Sequence, residues 1–228
     1  MRKWIRDYNY NSMENEIKLL QDLGKLEMLK REIVSAGLEQ IDPNYMYYAF
    51  DIYCTGILNK SINILAGFVC LVKAKNFIAA APLVRIHLDS LLRIFAPNLS
   101  AYDVDLFAEK VLDGKAINEM KTKTGRKLSD NFLATELNGR KDFEWVSETY
   151  KLGSEYVHFS ERYVFTRFKA GGISGRKINF SVGEHDNFVA PHEKDAAIVA
   201  MHRITLGILY FIKSWTEPKR KSRRRDGD

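Results

Sequence analysis

Three side chains able to handle a phosphate or a proton recur at helical spacing near the middle of the chain: Lys151, Ser154 and His158. At about 100° per residue they form one polar stripe. Histidine is the side chain whose ordinary pKa lies nearest neutrality, so a partly buried one can act as general acid or base. Lysine can neutralise an anionic oxygen, and Ser154 can orient the imidazole or the anion. The other arc of this helix carries Phe143, Trp145, Val146, Tyr150, Leu152, Tyr156, Val157 and Phe159. Gly153 falls within it, where a missing side chain permits close helix approach. The plainer reading of His158 is a surface histidine bordering the helix end.

A second set lies upstream. Arg85, Asp89 and Arg93 follow at successive i, i+4 steps on a segment that is otherwise apolar. Such a helix should be central in the fold, and its charges then need partners. Two readings follow. The stripe is a structural ion-pair ladder, with Asp89 serving either arginine, or it lines a cleft as part of an anion site. His87 points to the apolar side and is expected to be a satisfied core histidine.

Arg167, Lys169, Arg176 and Lys177 form a third set, interleaved with aromatic residues in two β-prone runs around Gly171-Gly172. Cations beside rings can hold phosphates while stacking bases. They also serve as a charged edge against strand aggregation.

Several chemistries have no sequence signature here. No phosphate-binding glycine loop, dinucleotide fingerprint, His-Glu-x-x-His or Gly-x-Ser-x-Gly is present, and His185 and His192 are too weak a pair for a metal site. No cofactor or metal is expected. Cys54 and Cys70 match no metal-ligand spacing and read as free thiols of a reducing, cytoplasmic protein. No secretory signal or uninterrupted transmembrane span is read from the sequence, so no membrane partner is expected. The net charge is +6, of which the tail 219–228, with six Lys/Arg and two Asp, holds +4. A body at +2 is not a nucleic-acid binder by charge alone.

The elements that position these residues are mainly helical. The hydrophobic spacing predicts a helix over 12–36, capped at Asn11-Ser12 and stopped by Gly37, with Ile17, Leu20, Leu23, Leu26, Leu29 and Ile33 on one face. Helices are expected over 45–75 and 77–96, then 101–112 capped by Ser100. A mobile basic loop with one short helix should fill 114–127, followed by a brief helix ending at Leu137. The His158 helix should start near Lys141. A hairpin over 163–182 precedes a last helix from Pro191 to about Trp215. The fold class expected is mainly α, a helical bundle with one β-hairpin before the last helix. Residues 1–217 form one domain, with helix 12–36 packed on a bundle over 45–215, and 218–228 a basic disordered tail.

Pro82-Leu83-Val84-Arg85 with Asp89-Ser90-Leu91-Leu92-Arg93, and Ser154-Glu155-Tyr156-Val157-His158-Phe159-Ser160 ahead of a hairpin and a last helix, resemble a bacterial family of helical proteins similar to the HEPN superfamily. The resemblance covers roughly 45–215. It implies a homodimer and a metal-independent endoribonuclease or RNA-binding protein of a toxin–antitoxin or phage-defence system, with RNA and an antitoxin or other protein as partners. It places His158 at the histidine of the superfamily's Arg…His motif. The motif's arginine has no counterpart four to six residues earlier. Lys151 stands one step too far and is not a guanidinium, so Arg85 would supply that charge. The site would then be His158, Arg85, Lys151 and Ser154. The competing reading is a non-catalytic helical module for protein interaction or small-anion binding.

Overall fold

The computed structural model describes residues 2–41, 46–158, 168–170, 178–180, 183–185 and 189–223; the described side chains are those of 14–41, 46–158, 183–185 and 189–218. Seven α-helices lie among them. α1 (Arg2–Gln40) packs on α2 (Ala49–Lys73) and on α7 (Pro191–Arg223). α3 (Phe77–Phe95) contacts α2, α7, α6 (Val146–Val157) and α5 (Asp130–Asn138), and α4 (Val104–Leu112) lies against α2. α3 is therefore the central helix, as its nearly continuous apolar surface requires: Phe77, Leu88, Leu91, Leu92 and Phe95 are fully buried. Asn76 Oδ1 caps α3 by accepting from Ala79 N, and Pro82 lies inside the helix, where it has no N–H to give Ile78 O.

α1 is longer than its pattern indicates. It begins at Arg2, with no break at Asn11-Ser12, and continues past Gly37, which does not cap the helix and where a Cβ would meet Leu58 Cδ1 at 3.9 Å. Its inner face is Leu23, Leu26, Leu29, Ile33 and Ala36. Ile17 and Leu20, expected on that face, are 50% and 53% exposed. The turn expected at 42–44 lies outside the described residues. α2 begins only at Ala49, where Asp51 Oδ2 accepts from Tyr48 N. Its core side is carried by Phe50, Cys54, Leu58, Leu65 and Phe68, while Ile52 is 58% exposed.

α4 is capped by Asp103, which accepts from Leu106 N, three residues later than expected; Ser100 instead accepts from Tyr102 N. Residues 114–127 are not a free loop. A 3-10 turn at Ile117–Glu119 and isolated bridges Ser100↔Thr122 and Lys121↔Lys127 fold the segment so that Met120 and Leu128 are buried. Ser129 caps α5 as expected, accepting from Phe132 N at 3.4 Å. α6 starts at Val146 rather than at Lys141, because Asp142 adopts a left-handed conformation (φ 71°) that breaks the helix ahead of it. Two three-residue segments, Phe168–Ala170 and Ile178–Phe180, pair antiparallel with Phe168 opposite Phe180. The remainder of the expected 163–182 hairpin lies outside the described residues.

α7 passes the expected stop and runs to Arg223 with Pro218 inside it. The last part of the expected basic tail, 224–228, lies outside the described residues. α2 and the stretch Pro191–Pro218 of α7 are long and apolar enough to cross a membrane, a property the uninterrupted-run criterion missed. In the bundle their inner faces supply core: Leu65 and Phe68 of α2 and Ile204, Ile208 and Ile212 of α7 are buried. The ends of the chain's long helices are tied together by buried polar contacts. Gln40 Nε2 donates to Thr216 Oγ1, and Trp215 Nε1 donates to the buried Asp51 carboxylate at 2.9 Å.

Candidate phosphate site between α5 and α6

The stripe on α6 opens into a cleft of ≈ 570 Å³ between α5 and α6. Lys151, Ser154 and His158 line one wall with Tyr150 and Glu155; Asn131 and Thr135 of α5 line the other. The expected spacing thus brings three of the four proposed site residues together. Lys151 is exposed, Ser154 is half-buried, and its Oγ donates to Tyr150 O at 2.8 Å, leaving the oxygen's lone pairs to face the cleft. His158 caps α6: its N–H donates to Ser154 O at 3.1 Å, and its extended backbone (φ −98°, ψ 150°) takes the chain out of the helix. The imidazole is exposed rather than partly buried.

Arg85 does not line this cleft. Its guanidinium carbon lies 4.2 Å from the centroid of the Tyr150 ring, on the side toward α3. It donates to Asp89 and lies 3.5 Å from Asp130. Burial works against its charge, but the hydrogen bond and charge of Asp89 outweigh it, so its pKa is raised further above the ordinary arginine value. Arg85 therefore holds Tyr150 rather than facing a ligand.

The expected ladder of Arg85, Asp89 and Arg93 has a different connection from the one its spacing suggests. Asp89 takes Arg85, whereas Arg93 donates to Asp130 of α5. Asp130 thus receives both arginines and ties α5 to α3. Sequence reasoning missed it. The one local signal was its place in the first turn of α5, behind the Ser129 cap, where a carboxylate suits the helix dipole. Tyr150 was read as core, and half of that reading stands: one face of the ring meets Arg85 and the residue also lines the cleft.

α6 can approach α3 this closely because residue 153 has no side chain. A Cβ there would sit 3.0 Å from Arg85 Cβ and 3.3 Å from its Cα. On another face of α3, His87 is buried with Nε2 3.0 Å from Thr205 Oγ1. Thr205 spends its own proton on Met201 O at 2.8 Å, so His87 donates through Nε2 and its Nδ1 is the unprotonated nitrogen. Burial, with a smaller push from Lys60, lowers its pKa to about 3. It is a neutral core histidine, with Nδ1 lacking a partner among the described residues.

Of the hairpin cations, Arg167, Arg176 and Lys177 lie outside the described residues, and Lys169 falls in the first short strand. Among the described residues no three His, Cys, Asp or Glu side chains cluster as metal ligands. The chain matches no family model, no curated protein and no solved structure.

Proposed function

We propose that the α5–α6 cleft is an RNA-directed phosphate site in a HEPN-like bundle. The observation that carries the reading is the convergence of Lys151, Ser154 and His158 in one open cleft, beside the ring of Tyr150. Lys151 supplies the charge for a phosphate oxygen and Tyr150 a face for a base. On this reading residues 163–182 form a hairpin whose Arg167, Lys169, Arg176 and Lys177 extend the track along the backbone. The protein works in the cytoplasm, in a defence or toxin–antitoxin setting with a protein partner.

The cleft's chemistry fits strand cleavage without a metal. His158 takes the proton of a ribose 2′-hydroxyl, the 2′-oxygen attacks the adjacent phosphorus, and the 5′-oxygen leaves and takes up a proton. The products are a 2′,3′-cyclic phosphate and a 5′-hydroxyl. Lys151 offsets the charge on the phosphorane oxygens.

One observation favours the second reading, a non-catalytic interaction or small-anion module. Arg85 is occupied by Asp89, Asp130 and Tyr150, so the cleft has no guanidinium from α3 to complete an Arg–His pair.

Incubating the full chain with a mixed RNA pool in EDTA separates these readings. Cleavage that falls by about two orders of magnitude in His158→Ala supports turnover. Binding without cleavage, weakened by Lys151→Ala, supports an RNA-binding site alone. Binding and turnover that are absent, or unchanged in both folded variants, leave the interaction module.

A further inference from the structure

α1 has two apolar faces, and the fold uses one. Opposite its core side, Ile17, Leu20, Met28 and Leu38 are 50%, 53%, 60% and 61% exposed. With Gly24, Arg31 and Ser35 they make a continuous stripe. Its positions, 17, 20, 24, 28, 31 and 35, repeat after 11 residues, a period that keeps a packing seam nearly straight along a helix. From Ile17 to Leu38 the stripe is roughly 32 Å long. Four large apolar side chains exposed on one face, spaced around small and polar residues, make a candidate interaction surface.

We propose that this face pairs with α1 of a second copy of the chain, antiparallel, about a two-fold axis near Met28. The pattern of the stripe is self-complementary in that arrangement. Ile17 meets Leu38, Leu20 meets Ser35, and Gly24 meets Arg31, so each bulky side chain faces a partner that leaves it room. The space at Gly24 is open in the single chain, since a Cβ there would meet no atom within 4 Å. These pairs set the axis between residues 27 and 28, so that Met28 packs beside its own copy. The flanking charges agree: Lys25 of each helix falls beside Glu32 of the other, twice per dimer. Within one chain Lys25 pairs, among the described residues, with Asp22 on its own helix, at 2.6 Å and exposed to solvent. A parallel pair would instead set Arg31 against Arg31 and leave Gly24 facing Gly24. Of the two orientations, the antiparallel one keeps the two Arg31 side chains apart and brings Lys25 beside Glu32. The interface lies on α1, which packs on α2 and α7, whereas the cleft is built from α5 and α6 on α3. The proposal does not depend on what the cleft binds.

Sedimentation of the full chain tests it. The wild type should be a dimer at micromolar concentration, and Met28→Asp a monomer of unchanged helicity and melting temperature, since Met28 contributes little to the core. Lys25→Glu should weaken association several-fold, and Lys25→Glu with Glu32→Lys should restore it. In a Cys70→Ser background, Met28→Cys should form an inter-chain disulfide and Ser35→Cys should not, because antiparallel pairing holds the two copies of residue 35 far apart. A monomeric wild type, a dimer that survives Met28→Asp, or cross-linking at 35 without cross-linking at 28 would each overturn the proposal.

Discussion

Gly153 of α6 lies against the backbone of Arg85 in α3, so closely that a Cβ at 153 would sit 3.3 Å from Arg85 Cα and 3.0 Å from its Cβ. A side chain at 153 would force one of the two helices to give by a few tenths of an ångström, and beside this contact the Arg85 guanidinium lies over Tyr150.

Gly153→Ala should therefore be destabilising even though alanine favours helix by about 1 kcal/mol over glycine. Overpacking against backbone costs about 1–3 kcal/mol, so a net loss on the order of 1 kcal/mol is expected in urea unfolding. A gain in stability would mean that α6 moves away freely. RNA affinity should fall as well, because α6 carries the cleft wall.

Asp130 and Asp89 should not be equivalent. Asp130 serves Arg85 and Arg93 from a different helix, whereas Asp89 serves Arg85 from within α3. Asp130→Ala also strips Arg93 of its ion-pair partner among the described residues, where its Nη1 already has none. Breaking a fully buried pair costs about 3–5 kcal/mol. These carboxylates are about 30% exposed, so solvent screening reduces that. Asp130→Ala is expected to cost about 1–3 kcal/mol and Asp89→Ala less, as measured by denaturant midpoint. The reverse order would mean that the α3–α5 tie contributes little.

His87 should make the protein acid-sensitive. Its folded pKa, about 3, is depressed below the ordinary value near 6.5, so the unfolded chain binds the proton first. Its contribution is complete above about pH 6.5, is lost as pH falls toward 3, and levels off below that. The slope is at most about 1.4 kcal/mol per pH unit for one proton. Unfolding at pH 7 and pH 5 should differ less in His87→Gln than in the wild type. Equal pH dependence in both would assign the effect to other groups.

Lys151 and Arg85 should separate binding from architecture. Lys151→Ala is expected to reduce the salt slope of RNA binding by about one contact and leave stability within about 0.5 kcal/mol. Arg85→Ala is expected to lower stability first, since it removes the stack on Tyr150 and leaves Asp89 without its cation. Filter binding across a salt series, with melting curves of each variant, gives both readings. A stable Arg85→Ala with a lower salt slope would put the guanidinium in contact with RNA.

The existence of the helices was legible from apolar spacing, and their starts only in places, since Asn11-Ser12 and Ser100 do not cap α1 and α4. Ser129 ahead of α5 and the all-round apolar surface of α3 are legible examples. Spacing alone could not say which of two apolar stripes faces inward, and for that reason Ile17 and Leu20 were placed in the core. Gly37 looked like a stop because glycine favours helix ends, but nothing at this position demands a left-handed backbone. Asp142, where the chain does turn left-handed, carried no glycine to announce it. The Lys151–Ser154–His158 stripe was legible because it is local to one helix. The partnership of Arg93 with Asp130 joins residues 37 positions apart, and no spacing rule reaches across that gap.

Thr216, Trp215 and Thr205 all sit on the last helix, and each completes a polar contact begun much earlier, at Gln40, Asp51 and His87. During synthesis these three groups must wait. At ribosomal speeds of about 5–20 residues per second, α3 is made roughly ten seconds before α7 can supply its side of the core. Until then the nascent bundle exposes the faces of α1 and α3 that α7 will cover. A chain that stops before α7 leaves those apolar faces uncovered, and exposed surface of that kind is what chaperones and proteases act on.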